Sequence, residues 1–142
     1  MTFQVVFKVE ANPVGKGRPK FARRGNFVST YTPKKTTDYE EIIKKAAKNA
    51  MGSSEPLETP VACYFYISLP VPASYSKKRR EACLTNSERP TKKPDIDNIV
   101  KCFLDALNGV IYQDDTQVVS THATKVYGSI GMVDVLVREE LI

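Results

Sequence analysis

The stretch from Lys93 to Val119 contains the residues best suited to chemistry. It holds five aspartates and one internal lysine, and segments rich in lysine and arginine lie on either side: Asp95, Asp97, Asp105, Asp114, Asp115 and Lys101. Carboxylate oxygens are the ligands that Mg²⁺ prefers, and two such ions about 4 Å apart can activate water and stabilise the leaving oxygen of a phosphodiester. The stretch therefore predicts a divalent-metal site that cuts the phosphate backbone of DNA.

A helix should position the first of these carboxylates. From Ile96 onward, apolar residues recur at helical spacing: Ile99, Val100, Phe103, Leu104 and Leu107. Pro94 cannot continue a helix from upstream, so the helix should start near Asp95–Asp97, which then lie at the positive end of its dipole. Asn108-Gly109 should end it, with the glycine as a left-handed cap. The strand-like run over 117–127 then lets the second acidic pair return beside the first.

The spacing assigns roles to individual residues. The predicted metal ligands are Asp95, Asp97 and Asp115, with Asp114 as a further ligand. Lys101 lies one turn after Asp97 on the polar face of the predicted helix. An ammonium there can neutralise charge that builds on the phosphate or help to orient the attacking water.

The same aspartates also have an ordinary structural interpretation. Aspartate is a common helix cap, and Asp-Asp is common in turns. Two specific alternatives fail on spacing. An EF-hand starting at Asp95 would need glycine and glutamate where Val100 and Ala106 stand. An aspartyl phosphotransferase would place its D-x-D after a hydrophobic strand, whereas a Lys/Pro loop precedes it here. Spacing alone leaves the metal site and the capping interpretation both open.

A resemblance to a known family favours the metal site. The run P-D-x-D-N-x-x-K-x-x-x-D-A-L-N-G, followed by D-D-x-Q-V-V, resembles the RusA-type Holliday junction resolvases, small endodeoxyribonucleases common in phages and prophages. The match is dense over Pro94–Val119. It extends more loosely to the N-terminal P-x-G-K-G-R-P-K-F segment and to the Y-T-P-K-K segment before the first predicted helix.

The resemblance implies a mechanism and a partner. The family's catalytic aspartates match Asp95, Asp97 and Asp115, its catalytic lysine matches Lys101, and the asparagine after its second aspartate matches Asn98, which we assign to DNA binding. It implies dependence on Mg²⁺ or Mn²⁺, a homodimer, and paired symmetric nicks across a four-way junction. Some members carry arginine immediately before the first aspartate, where this chain has Pro94. That departure bears on junction affinity and on the preferred cutting sequence.

Charge distribution supports a nucleic-acid partner. The net charge is +5, which alone argues little. However, the cations form two blocks, a first over 16–35 without an acid and a second from Lys77 to Arg80 that Arg89, Lys92 and Lys93 join. Surfaces of this kind bind phosphates through counterion release. The predicted DNA-binding cations are Lys16, Arg18, Lys20, Arg23, Arg24, Lys77, Lys78, Arg79, Arg80, Lys92 and Lys93. For any single block the plain alternative is a solvated basic face, but two blocks on either side of the acidic cluster favour DNA.

The coarse pattern predicts a single α+β domain over residues 1–142, with a mixed, partly antiparallel sheet packed against helices. Alternation predicts strands over 2–9 and 61–69 and a short strand or hairpin arm over 27–32, with a mobile loop over 12–25. Thr37-Asp38-Tyr39-Glu40 is a capping-box pattern before an amphipathic helix ended by Gly52. Ser74 or Ser76 should cap a short basic helix through about Leu84. The runs 117–127 and 132–137 have the pattern of an antiparallel hairpin.

Composition and sequence pattern indicate the cellular compartment. Three cysteines without metal-ligand spacing indicate reduced thiols, and no apolar run is long enough to cross a membrane. The first ten residues have no signal-peptide pattern, so we expect a cytoplasmic protein of a bacterial or phage-infected cell. Two other functions remain open on residues alone. One is a DNA-binding module without catalysis, and the other is a metal-dependent phosphatase or phosphotransferase.

Overall fold

The computed structural model describes residues 2–17 and 20–141, and for Arg24 the backbone only. The strands are β1 (Gln4–Val9), β2 (Lys20–Arg24), β3 (Phe27–Tyr31), β4 (Val61–Pro70), β5 (Val118–Gly128) and β6 (Met132–Glu139). Four of them form one sheet in the order β1-β6-β4-β5, and the other two form a separate hairpin, β2-β3. The helices are α1 (Lys34–Met51), α2 (Lys77–Leu84) and α3 (Ile96–Ala106), with a 3-10 turn at Asp115–Gln117. The prediction of an α+β domain with a mixed sheet is confirmed.

The core forms where α1 and α3 cover one face of the four-stranded sheet. The apolar stripe of α3 buries Ile99, Cys102 and Phe103, and Phe103 contacts Phe65 of β4 and Tyr39 of α1 at ring-centroid distances of 5.4 and 5.8 Å. Burying such a stripe removes apolar surface from water, and this burial is the main force that fixes α3 on the sheet. The amino end of α3, with its aspartates, is thereby held at the rim of the core.

The predicted hairpin of the last two strands is wrong. β5 pairs in parallel with β4, whereas β6 pairs antiparallel with both β4 and β1. β4 therefore lies between the two strands that follow one another in sequence. The physical reason is burial: β4 is buried at most of its positions, including Val61, Ala62 and Cys63 in succession, and so needs neighbours on both edges.

Other boundaries also differ from expectation. α1 starts at Lys34, after Pro33, and makes no side-chain cap, so the capping box at Thr37 does not form. β2 lies inside the segment predicted to be a loop, because it pairs with β3. Gly109 has a positive φ of 74°, but Leu107 is the cap of α3 and Gly109 belongs to the following turn. Ser76 caps α2 as predicted, accepting a hydrogen bond from the Arg79 amide at 3.2 Å.

Candidate active site

The first acidic pair lies at the amino end of α3. Asp95 occupies the N-cap position with extended backbone, but its side chain makes no capping hydrogen bond. Asp97 lies in the first turn, and both side chains are exposed. Together they line a hollow of about 600 Å³ that also has Arg89 and Lys125 in its wall. The ordinary capping role therefore does not account for Asp95, whose carboxylate has no side-chain partner in the part of the chain that the structure describes.

The second acidic pair divides into two different roles. Asp114 caps the 3-10 turn: its carboxylate accepts hydrogen bonds from the Thr116 amide at 3.2 Å and the Thr116 hydroxyl at 2.6 Å. These bonds lower the pKa of the Asp114 carboxyl. The side chain of Gln117 completes the capping box by accepting from the Asp114 amide at 2.9 Å. Asp115 is half-buried and has no side-chain hydrogen bond or ion pair to any residue in the described ranges. Asp114 thus has a structural role that its neighbour lacks.

Tyr112 fixes the connection between α3 and the second acidic pair. It is fully buried, and its hydroxyl donates to the Leu104 carbonyl at 2.6 Å, while its own carbonyl accepts from the Gly109 amide at 2.7 Å. Burial raises the pKa of the Tyr112 phenol, and the nearby charges of Asp115, Asp105 and Asp114 add to that effect. The tyrosine therefore stays protonated and keeps the returning loop against α3.

Lys101 lies on the polar face of α3, as the spacing predicted. Its ammonium is 3.7 Å from the Asp105 carboxylate, one turn further along the helix, and its side chain is 62% exposed. Such an exposed pair is weak, so the ammonium can move towards a bound phosphate. The geometry leaves Lys101 available to assist chemistry beside Asp97.

Lys16 is held between two helices instead. Its ammonium lies 3.1 Å from Glu40 of α1 and 3.2 Å from Asp105 of α3, and its amide donates to the Asn98 carbonyl at 2.9 Å. Burial works against this charge, but the two carboxylates outweigh it and raise the pKa of Lys16. The residue predicted to contact DNA is therefore committed to protein partners, and it anchors the glycine-rich loop across the start of α3.

That loop forms one wall of a larger hollow of about 830 Å³, which extends as far as Asp95. Gly17 must lack a side chain, because a Cβ there would lie 2.9 Å from both Pro33 and Thr36. Three lysines also line the hollow: Lys20, Lys35 and Lys93. The arrangement gives phosphate oxygens a cationic path that leads to the first aspartate.

Lys125 and Arg89 were missed as site residues. Lys125 of β5 donates to the carbonyls of Lys92 and Pro94 at 2.9 and 3.1 Å, and so holds the loop that carries Asp95. Arg89 donates to the Lys125 carbonyl at 3.2 Å. No sequence signal could have identified Lys125, because its partners lie about thirty residues away and are backbone atoms. Arg89 had a weak signal, since it belongs to the second basic block.

That second block is also divided. The Arg79 guanidinium lies 3.6 Å from the centre of the Tyr75 ring and makes hydrogen bonds of 3.0 to 3.2 Å with Glu88. Lys92 donates to the Tyr75 hydroxyl at 3.2 Å. In contrast, Lys77, Lys78 and Arg80 have no ion pair within residues 2–17 and 20–141. Lys77 and Lys78 are also exposed.

The remaining predicted DNA contacts are divided between the larger hollow and strand β2. Lys93 and Asn98 line the hollow, and Lys20 and Arg23 lie on β2. Arg18 and the side chain of Arg24 lie outside the described residues. The structure thus brings Lys20, Lys93 and Asn98 to the hollow beside Asp95.

Comparison with known proteins decides the family. The family described as Endodeoxyribonuclease RusA matches residues 10–138 of the chain. The chain belongs to the RusA family. A Bacillus subtilis (strain 168) protein with the name Uncharacterized protein YqaN is 36% identical over 137 residues, which is 95% of this chain and 96% of that relative. The resemblance inferred from the motif is confirmed, and with it the enzyme class: an endodeoxyribonuclease, hence a hydrolase, of a Holliday junction resolvase family.

The residues of this RusA-family site have the type of donor atom that a divalent cation such as Mg²⁺ binds. Asp95 and Asp97 offer hard oxygen donors without a competing side-chain partner in the described parts of the chain. Within those parts, no three Asp, Glu, His or Cys side chains form a group that could hold a metal ion. Because Mg²⁺ is commonly held by one or two carboxylates together with substrate phosphates and waters, the Asp95 and Asp97 pair meets its chemical needs. The described residues also include no helix long and apolar enough to cross a membrane.

Proposed function

We propose that this RusA-family protein resolves four-way DNA junctions by paired symmetric nicks that depend on Mg²⁺ or Mn²⁺, in DNA recombination and repair. The proposed catalytic residues are Asp95, Asp97, Asp115 and Lys101. The proposed place of action is the cytoplasm of a bacterial or phage-infected cell, because that compartment contains the DNA.

One observation carries the proposal. Asp95, Asp97 and Asp115, which match the family's catalytic aspartates, have no side-chain partner in the described residues, whereas Asp105 and Asp114 are both engaged. An ionised carboxylate without a side-chain partner keeps its acceptor sites for water or a cation. The distribution of partners therefore favours a ligand-binding role for the first three.

The site's own residues have distinct tasks. Asp95 and Asp97 would hold the cation at the 600 Å³ hollow. Asp115 does not line that hollow and forms no metal-holding group with them in the described residues, so its proposed role rests on the family resemblance. When bound, the divalent cation would activate water and stabilise the leaving 3′ oxygen. Lys101 would place its ammonium near the phosphate and reduce the negative charge that builds there. The proposed ligands do not include Asp114, because its carboxylate already accepts hydrogen bonds from Thr116 and so fixes the 3-10 turn.

We further propose that the active form is a homodimer. A four-way junction has approximate twofold symmetry, and two symmetric cuts require two sites at a fixed separation. The outer face of the four-stranded sheet is a suitable contact surface. Val6 and Tyr66 are 60% and 47% exposed there, beside a small apolar hollow, and Thr124 lines both that hollow and the one with Asp95. Light scattering of the purified protein should give twice the mass of one chain.

A cleavage assay tests the function directly. The protein is incubated with end-labelled four-way junction and with linear duplex, in Mg²⁺, in Mn²⁺ and in EDTA. We expect paired nicks in the junction only, and only with metal. The matched control is Asp97→Asn, which should bind the junction without cutting it.

Three outcomes would overturn all or part of the proposal. Cleavage that persists in EDTA would remove the metal from the mechanism. Binding without cleavage under every metal tried would leave a DNA-binding module whose aspartates have no catalytic role. Cutting of linear duplex as fast as junction would keep the nuclease and remove the junction specificity.

A further inference from the structure

The β2-β3 hairpin is exposed on both faces. Its two strands pair with each other and with no other described strand. A two-stranded hairpin by itself is only marginally stable in water, so packing against the core would stabilise it. Its large apolar side chains are nevertheless exposed, and three of them exceed every other large apolar residue in the described chain: Phe27 at 78%, Phe21 at 74% and Val28 at 64%, with Tyr31 at 51%.

The hairpin combines these side chains with positive charge. Opposite residues of an antiparallel pair project from the same face, and side chains alternate between faces along each strand. The register therefore places Lys20, Phe27 and Tyr31 on one face of the hairpin and Phe21, Arg23 and Val28 on the other. Segment 20–31 carries three cations and no acid. Arg23 uses its Nε atom to donate to the Gly25 carbonyl at 3.3 Å, which leaves its terminal amino groups for a ligand. An aromatic surface with phosphate-binding cations matches a nucleic acid whose bases are exposed, because bases stack on such rings.

The hairpin also has a defined place beside the candidate active site. Lys20 at its start and Pro33 just after its end both line the 830 Å³ hollow, and Asp95 lies in the same wall. Strands of five residues extend about 17 Å. The aromatic side chains therefore lie within about half a turn of duplex DNA from Lys20 at the hollow, since one turn spans about 34 Å.

We propose that this hairpin binds the branch point of the DNA junction. Phe21 on one face and Phe27 and Tyr31 on the other stack on bases of different arms that are unpaired or unstacked where the arms meet, and Arg23 and Lys20 bind the phosphates adjacent to each face. The proposal rests on the proposed function for its substrate, and it adds the element that distinguishes a branch from a continuous duplex. Linear DNA keeps its bases stacked inside the helix and offers these rings no partner.

Fluorescence of 2-aminopurine placed beside the branch tests this contact without any cleavage. The full-length Asp97→Asn protein is titrated into the labelled junction and into a linear duplex with the same label. We expect the junction signal to change on binding. We expect the double variant Phe21→Ala/Phe27→Ala, made in the same background, to lose that change and to bind the junction at least about 30-fold more weakly, since it removes two stacking contacts. Affinity for the duplex should stay the same.

Two further variants sharpen the test. Phe27→Leu keeps an apolar side chain but lacks an aromatic face, so it should lose most of the fluorescence change, whereas Phe27→Trp should retain it. Ile130→Ala is the matched control, because Ile130 is 55% exposed in the turn between β5 and β6. It should behave as the parent protein.

Several results would overturn the hairpin proposal. A double variant that retains the fluorescence change and junction affinity would exclude base stacking. Equal loss of affinity for junction and duplex would make the hairpin a general phosphate-binding arm. A change in mass by light scattering without DNA would make it a contact between two copies of the chain. If the unsubstituted protein cuts no junction, the proposed function fails separately, while the fluorescence still reports whether the hairpin meets the branch.

Discussion

The acidic segment 93–119 and the basic segment 75–93 differ in how the protein uses their charges. In the acidic segment, three of five aspartates have no side-chain partner in the described residues, and only Asp105 and Asp114 are engaged. In the basic segment, Arg79 and Lys92 surround Tyr75, and Arg79 also binds Glu88. Neighbouring residues of one charge therefore divide into those that build the fold and those left for a ligand.

The difference shows how sequence clusters should be interpreted. Asp114 and Asp115 are adjacent and identical in type, yet only Asp114 closes a capping box. Lys78 and Arg79 are adjacent cations, yet only Arg79 has an ion pair among the described residues. A cluster identifies a region, and the hydrogen bonds within it identify the residues that remain free. Each of the following predictions tests one side of this division.

The largest expected effect separates two aspartates. Asp97→Asn should reduce the rate of junction cleavage by at least about 100-fold, because even outer partners of metal ligands cost about 10- to 100-fold when removed. Junction binding should persist, since the basic surface supplies most of the affinity. Asp114→Asn should keep most of the activity, because it retains an oxygen that can accept from Thr116. Single-turnover cleavage and gel-shift titration measure the two quantities. Equal loss of cleavage in both variants would contradict the division.

A second prediction concerns the cation beside the aspartates. Lys101→Met should lower the single-turnover cleavage rate by about 10²- to 10³-fold, which is typical of one lost electrostatic contact to the reacting group. The dissociation constant for the junction should change little. Lys44→Met is the control, because Lys44 also pairs with a carboxylate on its own helix, Glu41 of α1, at 3.6 Å. It should leave the cleavage rate unchanged. A large loss of binding in Lys101→Met would make the residue a DNA contact instead.

The basic segment gives a smaller, paired prediction. Lys78→Ala should weaken junction binding and reduce the slope of log affinity against log salt by about 1, as expected for one lost phosphate contact. Arg79→Ala should instead lower the melting temperature, because it removes the stacking on Tyr75 and the hydrogen bonds to Glu88. Its salt slope should stay close to that of the unchanged protein. Identical salt slopes in both variants would contradict the assigned roles.

The smallest prediction is a pH dependence. The Arg79 hydrogen bonds lower the pKa of the Glu88 carboxyl below its ordinary value. The pair's contribution to stability is therefore present above the unfolded pKa of about 4.3 and is lost as pH falls through the lower folded value. Glu88→Gln should melt about 1–3 °C below the unchanged protein at pH 7, as expected for an exposed pair. Thermal melts from pH 3 to 7 should show the two curves converging at the acidic end, and a constant gap would contradict the assignment.

Local patterns in the sequence predicted much of the fold correctly. The alternation over 2–9 and 61–69, the helical stripe from Ile99 to Phe103, and the cap at Ser76 all correspond to observed elements. They could be predicted because each depends on residues within a few positions of one another. The pairing of β5 with β4 could not, because it depends on how the buried centre of the sheet is shared among distant strands.

The sequence by itself determined the family, the acidic motif and the α3 helix that carries it, because side-chain type and helical spacing are local properties. Only the tertiary structure decided which charges are free. It placed Lys16 between Glu40 and Asp105, tied Lys125 to the loop before Asp95, and used Asp114 as a cap. Those assignments depend on hydrogen bonds between segments far apart in the chain, and such contacts exist only after the core has brought the segments together.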